Sequence, residues 1–308
     1  MALARTCDLL REAEKGNYAV TAFDTFNYET IKMVVDNAAN LKTSTIVMIF
    51  PEMTEYINPE TFAALACSIG EQSPYPVSVM LDHGNSFELA MRCIKAGFTS
   101  VMIDYSHLPY EDNVRETKRV VDAAHAMGVD VEAELGHTGN ADTLEDYTDS
   151  SKYTDPDQAA DFVARTGCDV LAVAFGSAHG NYVREPKLDL ERLKAIREKV
   201  HIPLVLHGGT GIPAGQIQAA VKLGIRKLNV GTGYDQALYR KLKSDIESGK
   251  QDPFIFVALQ DLVPAGNAFL TEKIGLTRFP NLSTEELLRL QRQEAKTISF
   301  QENSGLGT

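Results

Sequence analysis

Eight short β-branched runs, each parted from the next by a stretch of helical apolar spacing, limit what this chain can fold into more than any other feature. The runs are 18–23 (YAVTAF), 44–49 (STIVMI), 77–81 (VSVML), 100–103 (SVMI), 129–134 (VDVEAE), 170–174 (VLAVA), 203–206 (PLVL) and 227–230 (KLNV). Between them lie 29–41, 59–71, 86–96, 112–127, 156–166, 190–200 and 214–223, whose apolar residues recur with the period of a helix. Asn58 before Pro59 and Asp155 before Pro156 are N-cap signals, since proline at the first helical position gives up only an N–H that would be unpaired anyway. Gly97, Gly128, Gly167 and Gly224 close helices just before the next run. Near-continuous apolar strands belong to a sheet covered on both faces, which is the parallel case. Repeated βα units with no linker between them favour an α/β fold of the closed (β/α)8 TIM barrel type over an open doubly wound sheet.

The same count fixes the domain reading. A chain of 308 residues could hold two average domains, but eight βα units need most of it as one. The expectation is a catalytic barrel over 1–250 and an extra C-terminal helical tail over 251–308, packing on the barrel or on a neighbouring subunit. In that tail Ser283-Thr284-Glu285-Glu286 reads as a capping box opening a helix through Leu287, Leu288 and Leu290. The one long polar insertion, Gly136 to Tyr153, follows the fifth strand, and a loop of that length in a barrel is expected to be a mobile active-site element.

Barrel chemistry sits at the carboxyl ends of the strands. Polar residues collect there: Asp24 and Asn27 after strand one, Asp82-His83-Gly84 after strand three, Asp104 and Ser106 after strand four, Glu134 after strand five. Strand six runs into His179-Gly180-Asn181, strand seven into His207-Gly208-Gly209-Thr210-Gly211, and strand eight into Asn229-Val230-Gly231-Thr232-Gly233. A lone histidine in such a place is an ordinary hydrogen-bonded residue. Three of them, His83, His179 and His207, aimed into one mouth beside carboxylates, point to a metal, and three imidazoles leave the open position that a catalytic zinc site needs.

The glycines form a second cluster. Gly208 to Gly211 and Gly231 to Gly233 follow the last two strands, where barrels bind phosphate through backbone N–H groups and a helix N-terminus. The plainer reading is that they make tight turns. A metal beside a phosphate can hydrolyse the ester or hold the carbonyl of a phosphorylated ketone as a Lewis acid. No serine or cysteine nucleophile elbow is present, and Lys227, at the start of its run, offers no evident Schiff base. Proton transfer then falls to Asp82, next to His83, unless that carboxylate only orients the ligand.

Charge excludes some partners. Against 30 Lys and Arg stand 42 Asp and Glu, and a net charge of −12 repels nucleic acid and anionic lipid. No apolar run is long enough to span a membrane, and the first residues lack the apolar core of a signal peptide, so a cytoplasmic protein is expected. Cys7, Cys67, Cys93 and Cys168 are scattered, without the spacing of a thiolate site or a disulfide framework.

Taken together, LDHG (81–84), GFTSVMIDYSH (97–107), VEAELG (131–136), YTDPDQAADFV (153–163), DVLAVAFGSAHGNY (169–182), PLVLHGGTGIP (203–213) and KLNVGT (227–232) resemble the class II, zinc-dependent ketose-bisphosphate aldolases. The resemblance covers about the first 235 residues in family order. It implies Zn2+ on His83, His179 and His207, and Asp82 as the acid/base for the C4 hydroxyl. Asn229 would steady the enediolate of dihydroxyacetone phosphate. Gly180, Gly208, Gly209, Thr210, Asn229, Gly231, Thr232 and Gly233 would grip that fragment, with a monovalent cation near the phosphate. Asp104 and Glu134 match positions for a second metal position or for orienting the ligand histidines. Asp142 lines up with a carboxylate used in proton exchange at the donor carbon. The partner is then a small sugar phosphate, the assembly a homodimer or homotetramer.

Three departures bear on substrate. Ile49-Phe50-Pro51 lacks the serine the family usually carries after strand two. Gly231 and Gly233 stand in the stretch where a carboxylate is common. Asp252-Pro253-Phe254 replaces an Asp-Pro-Arg whose arginine reaches into a neighbouring subunit to hold the far phosphate, and phenylalanine cannot make that charge-assisted pair. A substrate without a phosphate at its far end is therefore expected, unless Arg278 or Lys273 substitutes. The rival readings are a metal-dependent sugar-phosphate hydrolase and a non-catalytic subunit that binds metal and sugar phosphate.

Overall fold

The computed structural model describes residues 3–249 and 254–278. Eight parallel strands close on themselves in sequence order: β1 (Val20–Asp24), β2 (Thr45–Ile49), β3 (Val77–Gly84), β4 (Ser100–Ile103), β5 (Asp130–Leu135), β6 (Val170–Val173), β7 (Leu204–Leu206) and β8 (Ile225–Val230). Pairing of Val20 with Lys227 and of Ala22 with Asn229 shuts the barrel.

Helix α1 (Thr6–Gly16) precedes the barrel, and α2 (Tyr28–Asn40), α3 (Pro59–Glu71), α4 (Phe87–Ala96) and α5 (Tyr110–Ala126) follow strands one to four. After β5 come a short α6 (Leu144–Thr148) and then α7 (Pro156–Thr166), followed by α8 (Leu190–Lys199), α9 (Ala214–Lys222) and α10 (Thr232–Glu247) behind the last three strands. The described tail holds α11 (Ile255–Asp261) and α12 (Val263–Arg278). The expected signals work as read: Asn58 and Asp155 accept hydrogen bonds from the first turns of α3 and α7, and Gly97 and Gly167 end helices at φ +105° and +69°. No helix among the described residues is long and apolar enough to cross a membrane.

Period-two alternation splits the apolar residues into two cores. Outward strand residues such as Val47, Val79, Val101, Val131, Leu171 and Leu228 pack under the helices. Inward residues Ala22, Met48, Met80, Met102, Ala172 and Val205 fill the lower barrel and meet Cys7, Leu9, Leu10 and Ala13 of α1. That helix, which the strand pattern did not anticipate, stoppers the N-terminal end. The amide of Thr6 donates to Ser100 Oγ at 2.8 Å and that of Cys7 to Asp130 Oδ2 at 2.5 Å.

The described part of the tail packs on the chain's own barrel. Leu270, Ile274 and Leu276 of α12 are buried, Thr277 Oγ1 and Thr21 Oγ1 share a hydrogen bond of 2.7 Å, and the Ala19 amide donates to Thr277 O. The expected capping box at 283–286, with the helix it opens, lies outside the described residues.

Candidate active site

Strict alternation would send Asp82 and His83 to opposite faces of β3. Both reach the cavity because the β3–β4 register slips between Leu81 and Gly84 and His83 takes a left-handed φ of +43°. A bulge re-aims one side chain in this way, at a local conformational cost that functional sites commonly carry. Gly84 is required beside it, because a Cβ there would collide with Met102 O.

The three histidines meet. His83 Nε2 and His207 Nδ1 lie 2.7 Å apart, and the ligand atoms of His83, His179 and His207 all fall within 4.8 Å of one another. Two of the rings are backed by carboxylates. Asp104 Oδ2 accepts from His83 Nδ1 at 2.8 Å, and its other oxygen accepts the Ser106 amide. Glu132 Oε1 accepts from His207 Nε2 at 2.9 Å. Glu134 takes the Thr138 amide on Oε1, and its Oε2 stands 3.9 Å from both His83 Nδ1 and His207 Nδ1.

Electrostatics sort these groups. Burial, and then the neighbouring His83, push His179 and His207 well below the usual histidine value, so both are neutral imidazoles with a lone pair to offer. Burial opposes charge on His83 too, but Asp82, the bond to Asp104 and Glu134 together carry it up to about 10. For Asp104 burial is likewise outweighed, here by the bond and charge of His83, which hold the carboxyl well below its ordinary range. Burial, then Asp104, lifts Glu134 to about 8.

These residues fit a divalent cation. His179 Nε2 and Glu134 Oε2 are buried with no hydrogen-bond partner, and an unsatisfied buried polar atom is costly unless something binds it. Both belong to the histidine–carboxylate cluster, where three imidazole nitrogens are a donor set suited to zinc. His83, Asp104 and Glu134 make a second group of converging donors. Both Asp104 oxygens are already engaged, whereas Glu134 keeps one free.

Asp82, 4% exposed, accepts a 2.9 Å hydrogen bond from Asn229 Nδ2, and Asn229 Oδ1 is buried without a partner. The glycine loops lie next to this pair. A Cβ on Gly208, at φ +69°, would strike Ala178 O, so the loop cannot hold a larger residue in this path. Not every expected donor is available for phosphate. The Gly209 amide donates to Asn229 O at 3.0 Å and the Gly233 amide to Thr210 Oγ1 at 3.0 Å. Gly233 is buried against Phe269, away from the cavity wall. Gly231 caps α10, so Gly231, Thr232 and the Thr210 hydroxyl line the cavity at a helix N-terminus.

The cavity holds about 660 Å³. Its wall includes Asp24, Glu52, Asp82, Asp104 and Asp235, and no lysine or arginine among the described residues. Phe50, Glu52 and Met53 stand after β2, where the serine was missing. Neither proposed replacement for the far-phosphate arginine reaches the mouth. Arg278 stacks 3.8 Å over Tyr18 at the foot of β1, and Lys273 Nζ sits 3.1 Å from Glu272 Oε1. Asp252 and Pro253 lie outside the described residues, and Phe254 is 63% exposed.

The insertion after β5 is a packed lid, not a structureless loop. Ala141, Tyr147 and Ala178 form a small apolar core of their own with Leu144 and Tyr182 beside it. The Ala141 amide donates to His179 O and the His179 amide to Gly139 O, each at 2.8 Å. Thr138 and Asn140 of this lid line the cavity. Asp142 does not: it is exposed, and its Oδ1 accepts from the neighbouring Thr143 hydroxyl.

Two residues were missed at the sequence level. Glu132 and Lys227 are fully buried inside the barrel and paired at 2.8 Å beneath His207. Strand β8 begins two residues earlier than its β-branched pattern suggested, so Lys227 lies mid-strand and faces inward. The signal was there in VDVEAE, whose Asp130, Glu132 and Glu134 repeat at the period of a strand.

The chain is similar to known proteins over most of its length. The family described as class-II fructose-bisphosphate aldolase matches residues 4–278. The YdjI aldolase of Escherichia coli K12 is 36% identical, with a TM-score of 0.80 over 89% of this chain and 97% of that one. A protein from Coccidioides immitis described as a fructose-1,6-bisphosphate aldolase is 29% identical, also at 0.80, over 89% and 96%. The fructose-bisphosphate aldolase of Campylobacter jejuni, at 20% identity and 0.76 over 90% and 97%, shares the fold.

Proposed function

Since this chain belongs to the class-II fructose-bisphosphate aldolase family, and is thus an aldolase, a carbon–carbon lyase, we propose that it reversibly cleaves a ketose 1-phosphate to dihydroxyacetone phosphate and an aldehyde without a far-end phosphate. Membership sets aside the hydrolase and the non-catalytic binding subunit. The observation that supports the substrate reading is the cavity wall, where carboxylates surround the histidines and, among the described residues, no lysine or arginine stands ready for a second phosphate.

His83, His179 and His207 would hold Zn2+, with Glu134 Oε2 as an added or alternative donor. The ion would supply Lewis acidity toward the substrate carbonyl and hydroxyl oxygens. The remaining steps fall to the chain's own backbone and side chains. Gly231, Thr232 and the Thr210 hydroxyl bind the phosphate, assisted by Gly180 and the Gly208–Gly209 turn. Asp82 takes the proton from the C4 hydroxyl as the C3–C4 bond breaks; its electron pair passes onto C3 and the C2 oxygen, and the aldehyde departs. Asn229 fixes Asp82 through Nδ2 and offers Oδ1 to a hydroxyl of the enediolate. Asp142 returns a proton to C3 only if its part of the lid turns inward. Buried Asp24 Oδ1, unpartnered beside Gly231, is an oxygen suited to a monovalent cation near the phosphate. A cytoplasmic homodimer or homotetramer completes the reading, supported by Phe254, Ile255 and Phe256, an apolar face 60–73% exposed.

The test is a panel of ketose 1-phosphates against fructose 1,6-bisphosphate with added zinc, following dihydroxyacetone phosphate. Preference for the 1-phosphates is expected, with loss on chelation and indifference to borohydride. Efficient bisphosphate turnover overturns the substrate assignment.

A further inference from the structure

We propose that Lys227 and Glu132 are positioning residues that fix His207 in a single tautomer, with the proton on Nε2 and the lone pair on Nδ1, before any cation arrives. The inference rests on reading the three histidines as a divalent-metal site, and it concerns what stands behind that site.

Both charged groups are 0% exposed, in a layer of the barrel otherwise filled by Ala22, Met80, Met102 and Val205. Such a pair is a weak device for stability, because apolar residues of similar volume commonly serve as well or better. Its geometry suits another purpose. Lys227 Nζ donates to Glu132 Oε2 at 2.8 Å, which orients the carboxylate and balances its charge. The other oxygen, Oε1, then stands 2.9 Å from His207 Nε2. An ionised carboxylate only accepts, so Nε2 must carry the hydrogen, and a neutral imidazole has just one. Nδ1 is left as the acceptor nitrogen, and it is the atom that faces His83 Nε2 at 2.7 Å.

The opposite tautomer has one candidate donor for a bare Nε2, the Asn229 amide, at 3.4 Å. That contact is longer than the one to Glu132, and the same Nδ2 already serves Asp82 at 2.9 Å. It would also leave Nε2 and Glu132 Oε1 as two acceptors in contact, which repel. The choice made by Glu132 therefore prevails, and Lys227 holds Glu132 in place to make it.

The experiment compares the full wild-type chain with Lys227→Met and with the double variant Lys227→Met/Glu132→Gln. Zinc affinity is read by competition with a chromophoric chelator, and the His207 tautomer by imidazole 15N NMR of the metal-free chain. Lys227→Met should weaken zinc binding about 10- to 100-fold and mix the His207 tautomers. The double variant, whose glutamine can still accept from Nε2 with no charge left unpaired, should recover most of the affinity and the Nε2–H signal. Wild-type affinity in Lys227→Met overturns the proposal, as does a double variant no better than the single, which would indicate packing alone. A wild-type chain that binds no divalent cation defeats the metal reading instead, and the 15N signal of His207 still decides the tautomer.

Discussion

His83 Nε2 and His207 Nδ1 face each other across 2.7 Å, a separation two lone pairs cannot hold without a proton or a cation between them. With His207 neutral, the proton belongs to His83, whose value is carried up to about 10. Below that pH a metal must displace it. Binding should release at least one proton per ion between pH 7 and 9, and apparent affinity should rise about tenfold per pH unit. A titration in weakly buffered solution, read with a pH indicator, checks this; no proton release contradicts it.

Asp82→Asn should separate two halves of the reaction. Cleavage should fall about 10²- to 10⁴-fold, the usual worth of a positioned general base, while the fold survives because asparagine can keep the contact with Asn229. Exchange of the C3 proton of dihydroxyacetone phosphate with deuterated solvent should persist, since it does not use the C4 hydroxyl. If exchange and cleavage fail together, Asp82 acts on more than that hydroxyl.

Gly208→Ala and Gly180→Ala make a matched pair. Both sites have positive φ, +69° and +102°, but a Cβ at Gly208 would strike the Ala178 backbone while one at Gly180 meets nothing within 4 Å. The first should cost about 1–3 kcal/mol or more and impair KM; the second should cost about 1 kcal/mol. Thermal melts ranked the other way would show that the seventh loop yields more easily than its contacts indicate.

Phe254→Arg restores the side chain expected of a bisphosphate enzyme. We expect kcat/KM for fructose 1,6-bisphosphate to rise relative to a ketose 1-phosphate, by about 10-fold if a charge-assisted pair of roughly 1.5–3 kcal/mol is partly realised. An unchanged ratio would place the selectivity elsewhere in the wall, with Glu52 and Asp235 the next residues to exchange.

Most of the barrel was legible because its punctuation is local: Pro59 after Asn58, Gly97 before β4 and Gly167 before β6 each act within a turn or two of chain. The histidines were legible because they sit at strand ends, and the topology collects strand ends in one place. What stayed hidden depends on register or distant packing. Glu132 and Lys227 look like ordinary strand charges until pairing turns both inward. Helix α12 owes its burial to α2, α10 and β1 rather than to a marked apolar face of its own. The packing of the lid was not legible because its core borrows Ala178 and Tyr182 from beyond β6. Asp142 was assigned by alignment alone, and alignment does not say which way a loop residue looks.

The stopper formed by Cys7, Leu9, Leu10 and Ala13 fills the N-terminal end of the barrel, and the cavity lies at the opposite mouth. Under the proposed function, ions, sugar and products would share that mouth, past Asn140, Gly180 and Thr232 of its wall, and their traffic there would be sequential.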